Sequence, residues 1–185
     1  MKRVATAVLV VLMLATLAHA RTKEGVTMPD EVVLEGKKVV LNGMGLREAT
    51  ALNVDVYVAG LYLENKSSDG RAIAESNETK RLVLRFVRDV DGDDISSAWT
   101  EGFKKNSAAA VPALQARINK LNGWMQDVED GQSLVFNYIP GKGLQVIVDG
   151  AKKGFIEGED FQKAFFLIFL GDPPNAGLKS GLLGK

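Results

Sequence analysis

Residues 42–65 read NGMGLREATALNVDVYVAGLYLEN, and this stretch decides the fold. From Val54 onward an extended chain places Val54, Val56, Val58, Gly60 and Tyr62 on one face. Asp55, Tyr57, Ala59, Leu61 and Leu63 fall on the other. Both faces are mostly apolar, so the segment is expected to be a central strand covered on both sides. Upstream, Gly43 and Gly45 allow backbone angles closed to other residues, and the spacing predicts a sharp turn that presents Arg47 at the mouth of that strand. A cation next to the strand tyrosine Tyr57 makes a candidate pocket for an anion or a carbonyl oxygen.

Working outward toward the N-terminus, residues 31–34 and 38–41 read as two strands around a Glu35-Gly36 turn, preceded by a polar leader. Toward the C-terminus, a loop at 66–70 leads to a short helix through Ala72, Ile73 and Ala74. A strand at 81–88 alternates Leu82, Leu84 and Phe86 with Arg81 and Arg85, whose guanidinium groups are assigned to a solvated face. The run Asp91-Gly92-Asp93-Asp94 opens a helix, because aspartate accepts from the first unpaired backbone amides. Along that helix Ile95, Trp99, Phe103 and Asn106 recur at helical spacing, with Gly102 allowing close approach. Asn106 either closes the helix end or aims a polar group into a pocket.

A second helix spans 111–123 with Leu114, Ile118 and Leu121 as its buried stripe, and Trp124 and Met125 close that face. Residues 133–139, 144–148 and 152–156 form an antiparallel meander, with Asp149-Gly150 as a hairpin turn. A last helix carries Phe161, Ala164, Phe165, Ile168 and Phe169 inward and stops at Gly171-Asp172-Pro173-Pro174. In the tail, Leu178, Leu182 and Leu183 form a stripe that docks or frays. No repeat or linker interrupts the chain, so residues 21–185 are expected to be one α+β domain, a mostly antiparallel sheet with helices over one face.

Residues 1–20 have the pattern of a cleavable signal peptide. Lys2 and Arg3 precede an apolar run from Val4 to Leu17, and Ala18-His19-Ala20 supplies the small-x-small site, with cleavage expected after Ala20. The apolar run is shorter than the roughly 20 residues a spanning helix needs, so no stable membrane span is expected after cleavage, and the location is periplasmic or secreted. The whole chain balances 23 basic against 23 acidic residues, and losing Lys2 and Arg3 tips it slightly acidic. Without basic runs, nucleic acid is not an expected partner.

Cleavage also removes His19, the one histidine, and the chain has no cysteine. Serine–histidine and cysteine–histidine catalysis, the common zinc, haem and iron–sulfur ligand sets, and disulfides are thereby excluded. The acidic run at 91–94 lacks EF-hand spacing, and Gly43-Met44-Gly45 lacks the third glycine of a dinucleotide fingerprint. No cofactor is expected. What remains is Arg47, Tyr57, Trp99 and Asn106: a fixed cation, a phenol, an indole and an amide. Such a set can grip a carboxylate or stabilise an oxyanion, although no base titrates near neutral pH. In the alternative, Arg47 pairs with Glu48 or Asp55 and Tyr57 is a core strand tyrosine.

The run Gly43-Met44-Gly45-Leu46-Arg47, followed by residues 56–64, VYVAGLYLE, resembles the glycine–arginine turn and the next strand of the chalcone isomerase family. The closest likeness is to its bacterial, exported, chalcone isomerase-like branch. It continues through 81–90, through Ala98-Trp99-x-x-Gly102-Phe103-x-x-Asn106, through the meander and through 155–171. The resemblance implies an open-faced sandwich, a long antiparallel sheet with a helical layer and a ligand cleft between them. It also implies that Arg47 and Asn106 match two groups of the plant enzymes, which close a flavanone ring by adding a phenolate to an enone. Tyr57 stands where those enzymes have a threonine, Trp99 where they have a helix tyrosine, and Ile168 near a late substrate-recognition position. Non-catalytic members of the wider family bind fatty acids through an arginine–tyrosine pair, which Arg47 and Tyr57 resemble. The leading expectation is therefore a small hydrophobic carboxylate or carbonyl ligand held without turnover by Arg47, Tyr57, Trp99, Phe103 and Asn106. Two alternatives stand beside it: an isomerase acting on a phenolic enone with Arg47 and Asn106 as catalytic groups, and an envelope partner-binding module with a structural arginine.

Overall fold

The structure, a computed structural model, describes residues 19–49 and 54–185; the greater part of the expected signal peptide lies outside the described residues. Seven strands form one antiparallel sheet in sequence order: β3 (Glu31–Leu34), β4 (Lys37–Ala49), β5 (Val54–Leu63), β6 (Lys80–Phe86), β7 (Ser133–Ile139), β8 (Gly143–Val148) and β9 (Ala151–Ile156). Helices enter as excursions from this meander, so each strand still pairs with the next in sequence. They are α1 (Gly70–Glu75), α2 (Gly92–Ser107), α3 (Val111–Asn122), α4 (Glu159–Leu170) and α5 (Ala176–Leu182). The expected α+β sheet with helices on one face is what the chain forms.

The alternation in β5 divides as its sequence implies. Tyr57, Ala59, Leu61 and Leu63 join the main core under the helices, whereas Val58 and Tyr62 belong to a smaller cluster on the opposite face. α4 is the centre of the main core. Eight of its twelve residues are buried, and Phe165 packs against Phe136, Phe166, Phe169 and Trp99, with ring centroids 4.6–6.1 Å apart. Aromatic pairs at these separations add to the burial that holds the helical layer on the sheet.

Three local readings change. The polar leader, to which no element was assigned, is ordered: β1 (Ala20–Lys23) and β2 (Val26–Pro29) form a hairpin that covers the outer face of the sheet, setting Met28 against Gly60. Its turn, Glu24-Gly25, has both residues in the left-handed region, as a two-residue hairpin requires. Second, Gly43 and Gly45 are not a turn. They lie inside β4, where a Cβ on Gly43 would strike the Gly181 carbonyl and one on Gly45 the Leu178 carbonyl. They are the flat floor on which α5 rests, so the tail docks and buries Leu178, Leu182 and Leu183. Third, Arg81 is not solvated. Its Nε is buried without a partner, and burial pulls its pKa down, while Arg85 is exposed and donates to the Gly131 carbonyl.

Lys80 is fully buried at the edge of the main core, a position the sequence did not flag. Its ammonium donates to the carbonyls of Ile73 (2.8 Å) and Ser76 (2.6 Å) at the end of α1 and sits 5.1 Å over the rings of Tyr138 and Phe166. Burial pushes its pKa down to about 7. The unfolded chain then binds the extra proton between about pH 7 and the free-lysine value near 10, so stability rises with pH across that window. Urea midpoints at pH 7 and pH 9.5 should show this rise, and Lys80→Met should flatten it while losing the tie to α1.

Candidate functional site

β4 and β5 pair so that Arg47 lies directly opposite Tyr57, and Tyr57 lies opposite Phe86 on β6. An irregularity in the register just after Arg47 separates it from the Glu48–Asp55 pair. With α2 crossing above, these strands enclose a cavity of about 450 Å³. Its inner wall is Tyr57, Phe86, Ile95, Trp99 and Ile168, all buried, and Pro174 from the loop after α4 closes one side. Around the opening stand Arg88, Asp89, Asp91 and Asp94, all exposed.

Two residues that line this cavity carry a buried donor without a partner. Nη1 of Arg47 and Nε1 of Trp99 are each buried and have no partner among the described residues. A buried donor without an acceptor costs about 1–3 kcal/mol, more when charged, so an acceptor brought against either would be favoured. Tyr57 supplies a third polar group. Burial raises its pKa far above the ordinary phenol range, and Arg47 only partly opposes this, so it is a neutral donor and not a base at physiological pH. Among the described residues no ion pair joins Arg47 to Glu48 or Asp55.

The five sequence-predicted residues do not all converge. Arg47, Tyr57 and Trp99 share the cavity. Phe103 is completely buried and packs on Phe161 at 5.5 Å, in the core beyond the cavity wall. Asn106 lies at the far end of α2 and is fully engaged: Nδ2 donates to the carbonyls of Gly102 (3.1 Å) and Asp172 (3.2 Å), and Oδ1 accepts from the Asp172 amide (2.7 Å). It ties α2 to the loop that follows α4, which is the helix-end reading of this residue. Helical spacing places Asn106 and Trp99 on one face, but two turns of helix, about 10 Å of rise, carry the amide past the cavity. Ile168, by contrast, does reach the wall.

Asn106 borders a separate crevice of about 640 Å³, larger than the Arg47 cavity. Most of its charged lining is already paired, with Arg71 and Lys163 on Glu75, Lys179 on the Gly171 carbonyl and Asp69 capping α1. The smaller cavity is therefore the better candidate, because it holds unsatisfied donors against apolar walls. Asn106→Ala should lower stability by about 1–3 kcal/mol, read as a shift in urea midpoint, and weaken ligand binding far less than a change at Arg47.

Sequence reading missed the acidic opening. Asp91 was expected to cap α2, yet its side chain makes no cap bond; Asp127 accepts from the Gly92 amide instead, at 2.9 Å. The density of aspartates at 89–94 was the available signal. Those carboxylates do not converge on a metal site among the described residues.

An open antiparallel sheet, a helical layer and, between them, a cavity open on one side and lined by a half-buried cation define the class: a small α+β domain with a ligand-sized space. The chain belongs to the chalcone isomerase-like family, whose sequence model matches residues 20–184. It is similar to chalcone isomerase-like protein 1 of Humulus lupulus, 28% identical over 189 residues that cover 85% of this chain and 84% of that protein. Its fold is shared with a fatty-acid binding protein of Arabidopsis thaliana, with a TM-score of 0.70 at 16% identity, over 89% of this chain and 96% of the other. Among the described residues no helix is long and apolar enough to cross a membrane.

Proposed function

We propose that this protein binds a small hydrophobic carboxylate or carbonyl compound in the Arg47 cavity and does not turn it over. The observation that carries the reading is that Arg47 and Trp99, each with a buried donor that has no partner among the described residues, both line one apolar-walled space. Arg47 grips the anionic oxygens, Tyr57 adds a neutral donor, and Trp99 with Phe86 and Ile168 forms the wall. At the ~30 Å³ that a water molecule takes in the liquid, the cavity has room for about 15 non-hydrogen atoms, a medium-chain acyl group or an aromatic acid. The fatty-acid binding fold relative supports an acyl ligand.

Two features argue against ring closure here. Tyr57 holds its proton, and Asn106, one of the two groups the plant enzymes would share, is spent on the Asp172 backbone. Native mass spectrometry of the protein purified from its own cells should show a bound hydrophobic acid; ligand-free protein that also fails to take up dodecanoate would defeat the reading. The purified protein should leave the loss of chalcone absorbance at its uncatalysed rate. We further propose that the domain is exported and acts after cleavage following Ala20, which N-terminal sequencing of the mature protein would test, with Arg21 expected first.

A further inference from the structure

The charges of the Arg47 cavity are sorted by depth. Among the described lining residues the less exposed cation is Arg47, which is half-buried with Nη1 buried and unpartnered, and it shares the wall with Trp99, 4% exposed. The opening carries the opposite sign, with three carboxylates, Asp89, Asp91 and Asp94, against the single guanidinium of Arg88. Asp89 accepts from the Asp130 amide at 2.9 Å, and Asp91 and Asp94 sit at the N-terminal end of α2, where the helix favours negative charge. Relieved of capping by Asp127, Asp91 keeps its carboxylate free at the opening.

A cavity that only captured anions would be served by a cationic opening, which raises the local anion concentration. This one has the reverse arrangement, a cationic floor beneath an acidic collar. A ligand long enough to fill it reaches the collar with its far end. A second carboxylate or a phosphate there meets net negative charge, whereas an ammonium meets three carboxylates.

We infer that the cavity selects its ligand by the charge at the end remote from Arg47: it takes amphiphiles with one anionic head, prefers an ammonium at the opposite end, and rejects a second anionic group. The inference rests on the proposed binding of an anionic head by Arg47 and specifies the class of ligand that binding serves.

Three twelve-carbon probes of matched length separate the two: dodecanoate, ω-aminododecanoate and dodecanedioate, titrated calorimetrically into the intact protein. At about 0.01 M salt the amino acid should bind roughly tenfold tighter than the diacid, with dodecanoate between them, as a few partly exposed charge contacts supply. The ratio should shrink toward one at about 1 M salt, where the screening length falls to about 3 Å. It should shrink likewise in Asp89→Asn/Asp91→Asn/Asp94→Asn, and in part in Asp94→Asn alone should the triple variant not fold. Equal binding of all three probes, or tightest binding of the diacid, overturns the inference and leaves the Arg47 reading standing. Equal probe affinities in Arg47→Ala and the parent protein, or no binding of any probe, overturn both.

Discussion

Arg47→Ala is expected to weaken capture of a hydrophobic anion by about 10–100-fold while leaving the melting temperature unchanged or slightly raised. Hydrogen bonds to charged groups contribute about 1.5–3 kcal/mol each, which sets the size of the loss. The stability follows from the same geometry. Nη1 of Arg47 is buried without a partner among the described residues, so its removal breaks no bond there and relieves a desolvated donor. Arg47→Lys should recover part of the affinity, because the charge returns without the planar fork that meets a carboxylate twice. Tyr57→Phe should cost less, since one neutral donor is lost and the ring stays against Phe86, 5.5 Å away. Titration of a fluorescent fatty-acid analogue together with thermal melts checks all three. A structural arginine would give the opposite pattern, unchanged affinity with a lowered melting temperature.

The largest loss of stability is expected at Gly45. Adding a single methyl group there places Cβ against the Leu178 carbonyl, and at Gly43 against the Gly181 carbonyl, both backbone atoms that cannot rotate away. Gly45→Ala must therefore push α5 off β4 or bend the strand. Overpacking of this kind costs about 1–3 kcal/mol. Complete release would expose Leu178 and Leu182, both wholly buried, at about 1.5–3 kcal/mol each. The urea midpoint should fall, and the tail from Ala176 onward should become the first site of proteolytic cleavage. An unaltered midpoint would mean that α5 does not depend on close contact with β4. The same displacement reaches the ligand cavity, because Asn175, at the start of α5, donates to the Leu46 carbonyl (3.0 Å) beside Arg47 and follows Pro174 in the cavity wall.

Much of the architecture was legible because alternation is a local property. A side chain's direction in a strand or helix follows from its own backbone angles, so β5, the meander through β9 and the buried stripes of α3 and α4 could be read residue by residue. The turn at Asp149-Gly150 was legible for the same reason. The hairpin at the N-terminus carried an equally local mark, Glu24-Gly25 between two short runs, but its strands are only four residues each, half of them polar, without clean alternation. They acquire apolar partners only by folding onto the sheet.

The sequence by itself determined that this chain is an antiparallel α+β domain without cysteine, and that Arg47 stands close to the strand that carries Tyr57; that Arg47 lies within a strand paired to it came from the fold. Tertiary structure alone decided what those residues face. Gly43 and Gly45 were readable as special but not as a seat for α5, since a missing side chain is equally consistent with a turn and with a close neighbour. Asn106 was readable as polar on an apolar face, but its partner, Asp172, is 66 residues away along the chain. Asp91 and Asp94 were readable as a helix start, and with Asp89 they line the cavity beside Arg47 only because the start of α2 packs near the ends of β4, β5 and β6. Backbone geometry sets a side chain's direction locally, whereas what it meets depends on how distant elements pack.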